Sequence, residues 1–188
     1  MSTDKIPNEY ENFFSVFLRT IADSQMDIYK KLSLTPNVIT LLAFITGLLC
    51  AYLVYKKQYK YAAFMYLLSY YFDVADGKFA RKYNMTTQMG DYLDHMSDYI
   101  KTIILAIVLY HDNPQRFKRL IPLFTFLLLI LAFYMGIQEA LFEKNKSVLG
   151  LFKFDKKFAQ NNLHLVKYFS CGTYNLFIAL IIFFWDKL

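Results

Sequence analysis

LFTFLLLILAFYM, residues 123–135, and FSCGTYNLFIALIIFFW, residues 169–185, contain no charged side chain. A helix on the surface of a soluble domain keeps a polar face toward water, and neither run has one, so both belong in a bilayer. Working outward, the fourth apolar segment extends over residues 120–142 and the fifth over 168–185. Three more precede them at 38–55, 61–81 and 90–111. At 1.5 Å per residue each is about long enough for a hydrocarbon core of roughly 30 Å. The expected fold is therefore an all-α integral membrane protein, a bundle of five or six transmembrane helices preceded by an amphipathic interfacial helix.

That first helix is expected between Tyr10 and Leu32, where Phe13, Phe17, Ile21, Ile28 and Leu32 recur at helical spacing with Asp23, Asp27, Lys30 and Lys31 between them. Thr35-Pro36 then supplies a capping hydroxyl and a first-turn proline for the first span. Residues 1–34 thus read as an amphipathic juxtamembrane segment and 35–188 as a transmembrane catalytic domain. A sixth span would have to come from 143–167. That stretch carries Lys144, Lys146, Lys153, Lys156, Lys157 and Lys167, and reads as a polar loop or interfacial helix.

Lys and Arg number 21 against 15 Asp and Glu. Nucleic-acid binding gives such an excess, and so do the basic cytoplasmic loops of a membrane protein; the apolar runs select the second, and no nucleic-acid partner is expected. With a cytoplasmic amino terminus, the segments on that side hold more Lys and Arg than those opposite. The opening residues 2–12 lack the basic segment and apolar core of a secretory signal, so insertion is expected to rely on the later spans. Cys50 and Cys171 lie inside apolar stretches and read as packing residues.

The chemistry is concentrated in DVADGKFARKYNMTTQMGDYLDHMSD, residues 73–98. Asp73 and Asp76 are three apart and share a helical face with Gly77; Asp94 and Asp98 are four apart and share theirs with Asp91. A short hairpin at 82–89 brings the two faces together at similar depth. Several acids at membrane depth repel one another with little screening and need a cation. Oxygen ligands without Cys and with little His suit Mg²⁺ or Mn²⁺ better than zinc. Gly77 leaves room for close approach, and Arg81, one turn on, suits phosphate. Metal, glycine and arginine together point to phosphoryl transfer, with a remaining carboxylate as base.

The pattern Asp73-x2-Asp76-Gly77-x2-Ala80-Arg81-x8-Gly90-x3-Asp94-x3-Asp98 resembles the complete signature of the CDP-alcohol phosphotransferase family. The run from Leu34 to Thr40 resembles the family's first-span entry. The resemblance implies that Asp73, Asp76 and Asp94 ligate a pair of divalent ions, with Asp98 as ligand, general base or both. Gly77, Arg81 and Gly90 would cradle the CDP part, and Asn37 with Thr40 would approach the nucleotide from the first span. The implied reaction is attack of an alcohol hydroxyl on the phosphorus bearing the CDP-linked alcohol, with release of CMP. A homodimer is implied as well.

Chain length suits the branch that uses CDP-diacylglycerol and a small acceptor. Asp94-His95, Gly77-Lys78 and Asp91 resemble instead the branch that joins CDP-choline or CDP-ethanolamine to diacylglycerol. His95, Lys101 and Asp91 are accordingly candidates for acceptor binding or assistance, each balanced by an ordinary structural role. Gln138, Glu139, Thr173 and Asn175 read first as polar residues at span ends. From a different class, a divalent-cation transporter would account for the aspartates but leave Gly77, Arg81 and Gly90 without a task, and a filled signature speaks against an inactive scaffold. The site is expected to face the cytoplasm, in either an endoplasmic reticulum or a bacterial inner membrane.

Overall fold

The computed structural model describes residues 7–142, 152 and 154–188, and among these it contains helices and no strand. A 3-10 turn at Asn8–Tyr10 leads into α1 (Phe13–Lys31), followed by α2 (Pro36–Tyr55), α3 (Tyr59–Lys82), α4 (Gln88–Asp112), α5 (Pro114–Phe142), α6 (Lys156–Val166) and α7 (Cys171–Phe183). Among the described residues, three stretches are long and apolar enough to cross a bilayer: α2, α5 and the run Lys156–Phe183. The first four apolar segments each lie within one helix, α2, α3, α4 and α5. α3 and α4 have spanning length, 24 and 25 residues, but the acids and lysines they carry dilute their apolar character.

Local chemistry sets the helix boundaries. The Thr35 side chain accepts from Val38 N, with Pro36 in the first turn of α2. Thr87 does the same for α4, accepting from Gly90 N at 3.0 Å. The hairpin between α3 and α4 turns at Asn84, whose φ of 52° lies in the left-handed region that asparagine tolerates. Within the polar stretch 143–167, residues 156–166 form α6, capped by the Asp155 carboxylate on Phe158 N at 2.7 Å. Residues 143–151 and 153 of that stretch lie outside the described residues. The fifth apolar run is broken at Ser170, where the backbone is extended, and α7 starts after it.

The chain divides into two compact units, one formed by Leu18–Arg119 with Asn175–Leu188 and the other by the residues up to Phe17 with Leu120–Tyr174. In the first, α2 packs on both α3 and α4. The contact faces are lined with small residues, Ala43, Cys50 and Ala51 from α2 and Ala62, Ala63 and Ala75 from α3, which let backbones approach closely where the solvent is lipid. Ser69 Oγ donates to the Ala43 carbonyl at 2.7 Å across the α2–α3 contact. The carboxyl-terminal Trp185 is fully buried, and its Nε1 and the Tyr59 hydroxyl both donate to Asp112 Oδ2, at 2.7 and 2.9 Å.

α1 carries two apolar faces rather than one. Leu18, Ala22 and Met26 are buried, whereas Phe13, Phe17, Ile28 and Leu32 are exposed. Its charged edge is tied to α3: Lys78 Nζ donates to Asp23 Oδ2 at 2.6 Å, and Lys82 Nζ and the Tyr83 hydroxyl donate to Asp27 Oδ1 at 3.0 and 2.9 Å. Lys78 is 1% exposed, so its ammonium depends on that partner.

In the second unit Ile137, Ala159 and Leu163 form a small core, flanked by Phe133, Phe154 and Phe158. Asn12 Nδ2 donates to Thr173 Oγ1, and Asn12 Oδ1 accepts from Ser15 N. Gly172 permits this junction, because a Cβ there would strike Ser15 Oγ and lie 2.9 Å from Asn12 Oδ1 and 3.0 Å from Ser15 N. Gly172→Ala should therefore destabilise the protein by about 1–3 kcal/mol, measured as a lowered melting temperature in detergent. An unchanged melting temperature would contradict this packing.

Candidate active site

The signature acids occupy the last three turns of α3 and the first three of α4, joined by the hairpin, so chain geometry alone brings the two sets side by side. One carboxylate oxygen each from Asp73, Asp94 and Asp98 lie within 4.8 Å of one another. Asp73 Oδ1 and Asp94 Oδ1 are shielded from solvent and accept no hydrogen bond from any described residue. Shielded oxygens of like charge at this separation repel strongly, and positive charge nearby or a shared proton relieves that repulsion.

One such charge is present in the chain. Lys101 Nζ lies 2.6 Å from Asp98 Oδ1 and 3.9 Å from Asp73 Oδ1, with its side chain only 15% exposed. Its stem crosses α2 at Gly47, where a Cβ would come within 2.9 Å of Lys101 Cδ and 3.2 Å of Ser69 Oγ. Lys101 thus pairs with two of the three clustered acids. Gly47 was not marked by any sequence signal beyond being a glycine in an apolar run.

Asp76 lies apart from the three-carboxylate group. It is 5% exposed, and Thr40 Oγ1 donates to its Oδ2 at 2.5 Å. Thr40 thus meets the site through Asp76. Asn37, one turn earlier on α2, faces the start of α4: its Oδ1 is 3.5 Å from where a Cβ on Gly90 would stand, and Thr87 Oγ1 is 3.1 Å from the same point. Gly77 is covered by its own helix, with Arg81 Nη1 3.1 Å and Nη2 3.4 Å from the corresponding Cβ position. The arginine therefore folds back over the glycine, and an open patch of α3 backbone lies beneath a guanidinium.

Asp91 and His95 are exposed on α4 and do not join the group of three. Of the polar residues at span ends, Thr173 is held by Asn12, Asn175 Oδ1 accepts from the Tyr66 hydroxyl at 2.8 Å, and Gln138 Nε2 is buried without a hydrogen-bond partner among the described residues. Glu139 is half-buried.

The donor set fits a hard divalent cation. Three convergent carboxylates with no Cys or His within the group suit a hard divalent cation. Arg81, whose guanidinium lies over Gly77, follows Asp73 and Asp76 on the same helix.

Comparison with known proteins agrees. The family model for CDP-alcohol phosphatidyltransferase matches residues 33–186, and the chain belongs to that family. A CDP-diacylglycerol–glycerol-3-phosphate 3-phosphatidyltransferase from Aquifex aeolicus (strain VF5) is 34% identical over 94 residues, a match that covers 50% of this chain and 51% of the relative. The aligned part thus spans about half of that relative's length. No solved structure matches the chain.

Thr40→Val removes the donor to a buried carboxylate and should cost about 1–3 kcal/mol of stability, with Thr40→Ser recovering most of it. Melting temperatures of the two variants in detergent decide the point. Equal losses would mean that the hydroxyl does not hold Asp76.

Proposed function

We propose that this chain transfers the phosphatidyl group of CDP-diacylglycerol to the hydroxyl of a small acceptor such as glycerol 3-phosphate, releasing CMP. The observation that carries the reading is the convergence of Asp73, Asp94 and Asp98 in a chain of this family, with Gly77 and Arg81 following Asp73 on α3. The Aquifex relative's own substrate favours this donor over CDP-choline or CDP-ethanolamine.

Asp73, Asp94 and Asp98 would hold the divalent cation, with Asp76 supporting or sharing it. When bound, the ion supplies charge neutralisation at the diphosphate oxygens. The Arg81 guanidinium offers planar donors to the same diphosphate, and Gly77 and Gly90 leave the backbone open to it. Asn37, opposite Gly90, and Thr40 approach the nucleotide from α2. Asp98 is the base: its side chain is 42% exposed against 24% for Asp73, so it can meet an incoming hydroxyl. It takes the acceptor's proton as the acceptor oxygen bonds to the phosphorus bearing diacylglycerol. The bond from that phosphorus to the CMP oxygen breaks, and CMP departs with the electron pair.

The wider reading places residues 35–188 in the bilayer as a catalytic domain of five or six spans, with 1–34 at its surface and the site toward the cytoplasm. Two ions, either Mg²⁺ or Mn²⁺, and a homodimer complete it. His95 and Asp91, exposed on the helix that carries Asp94 and Asp98, would assist or bind the acceptor.

The test is CMP release by the reconstituted protein with Mg²⁺ or Mn²⁺, with CDP-diacylglycerol plus glycerol 3-phosphate compared against CDP-choline or CDP-ethanolamine plus diacylglycerol. Release is expected with the first pair. Asp98→Asn should lower turnover at least a thousandfold while keeping nucleotide binding, and Asp76→Asn should impair metal binding and turnover together. Release only from the second pair would transfer the protein to the amino-alcohol branch. Metal uptake without CMP release from any pair would favour a cation pathway.

In the same assay Gly77→Ala should raise the KM for the CDP-linked donor severalfold with a smaller change in kcat, because the new methyl group would displace the guanidinium that lies 3.1 Å away. A pure kcat loss would contradict a binding role for this glycine.

A further inference from the structure

The acid cluster contains a cation of its own, and the geometry of that cation points to a competition. Lys101 brings one positive charge to a group of three carboxylates, which leaves that group acidic and still suited to a cation. A purely structural pair would need one acid, and Lys101 reaches two of the three. Its Nζ is 2.6 Å from Asp98 Oδ1. A divalent ion bonded to the three carboxylates would sit a few ångströms from that ammonium, in a shielded region where repulsion between cations is large.

We propose that Lys101 is a tethered counter-cation: it holds the acid cluster together when no metal is bound, competes with the metal for Asp98, and must swing aside as the ion enters. The proposal rests on the reading of Asp73, Asp94 and Asp98 as the cation cage. Gly47 is the positioning residue of the device. Its missing side chain is the notch in α2 across which the lysine stem lies, with Ser69 as the facing wall, and any larger residue would push the stem off its line. The protein thereby sets a weak metal affinity in exchange for a cage that stays assembled before the ion arrives. Paired acids in low dielectric otherwise separate, or take up protons and lose the charge that binds metal.

The experiment titrates Mn²⁺ alone into the full-length protein in detergent, follows free Mn²⁺ by electron paramagnetic resonance, and records melting temperatures with and without the ion. Lys101→Met should bind Mn²⁺ at least tenfold more tightly than the wild type, and its metal-free melting temperature should fall by several degrees. Lys101→Arg, which keeps the charge, should restore the weaker affinity and the higher melting temperature together. Gly47→Ala leaves the lysine in the chain but moves its stem, and should tighten Mn²⁺ binding twofold to fivefold; it decides the question if Lys101→Met does not fold without metal.

Unchanged or weaker Mn²⁺ binding in these variants would overturn the competition. If wild-type uptake is then abolished by Asp94→Asn, the cage itself stands and only the role of Lys101 falls. Absence of Mn²⁺ uptake by the wild type and by every variant would overturn both.

Discussion

Repulsion among acids in a poorly screened environment is the constraint on which the rest of this structure depends. Asp73, Asp94 and Asp98 bring oxygens within 4.8 Å of one another, an arrangement that costs free energy unless cations or hydrogen bonds offset it. The surrounding sequence supplies that offset in pieces: the Thr40 hydroxyl for Asp76, the Lys101 ammonium for Asp98 and Asp73, and a cage open to a divalent ion for the remainder. Each piece comes from a different part of the chain. The packing of α2 against both α3 and α4 is what delivers them.

The small residues along α2 follow from the same requirement. A side chain on α2 can reach an α3 carboxylate, and a lysine stem can pass between α2 and α4, only where the backbones approach closely. Ala43, Gly47 and Cys50 provide that approach. The charged edge of α1 extends the arrangement outward. Asp23 and Asp27 hold Lys78 and Lys82, the residues that directly follow Gly77 and Arg81 on α3.

Much of this was legible in the sequence, because its signals are local. Thr35-Pro36 marks a helix start through a contact within three residues, and the Asp spacings of three and four fix helical faces without any tertiary information. The acidic cluster was legible because a short hairpin constrains the two helices it joins. The parts that escaped depend on long-range packing. The contact of Thr40 with Asp76 spans 36 residues, and the notch that Gly47 gives Lys101 depends on how two helices cross. α1 shows the same limit: periodicity revealed its apolar residues but not that they fall on two faces, one buried and one exposed. Hydropathy likewise separates α2 and α5 cleanly, but weakens for α3 and α4 because of the acids and lysines they carry.

The central claim is that the cage and the arginine form one site, in which a divalent ion and a CDP-linked diphosphate bind together. The most direct test is the melting temperature of the detergent-solubilised protein with Mn²⁺ alone, CDP alone, and both. A shared site predicts that CDP stabilises the protein strongly only when Mn²⁺ is present, and that Asp94→Asn removes this dependence. Stabilisation by Mn²⁺ that CDP leaves unchanged would contradict the account.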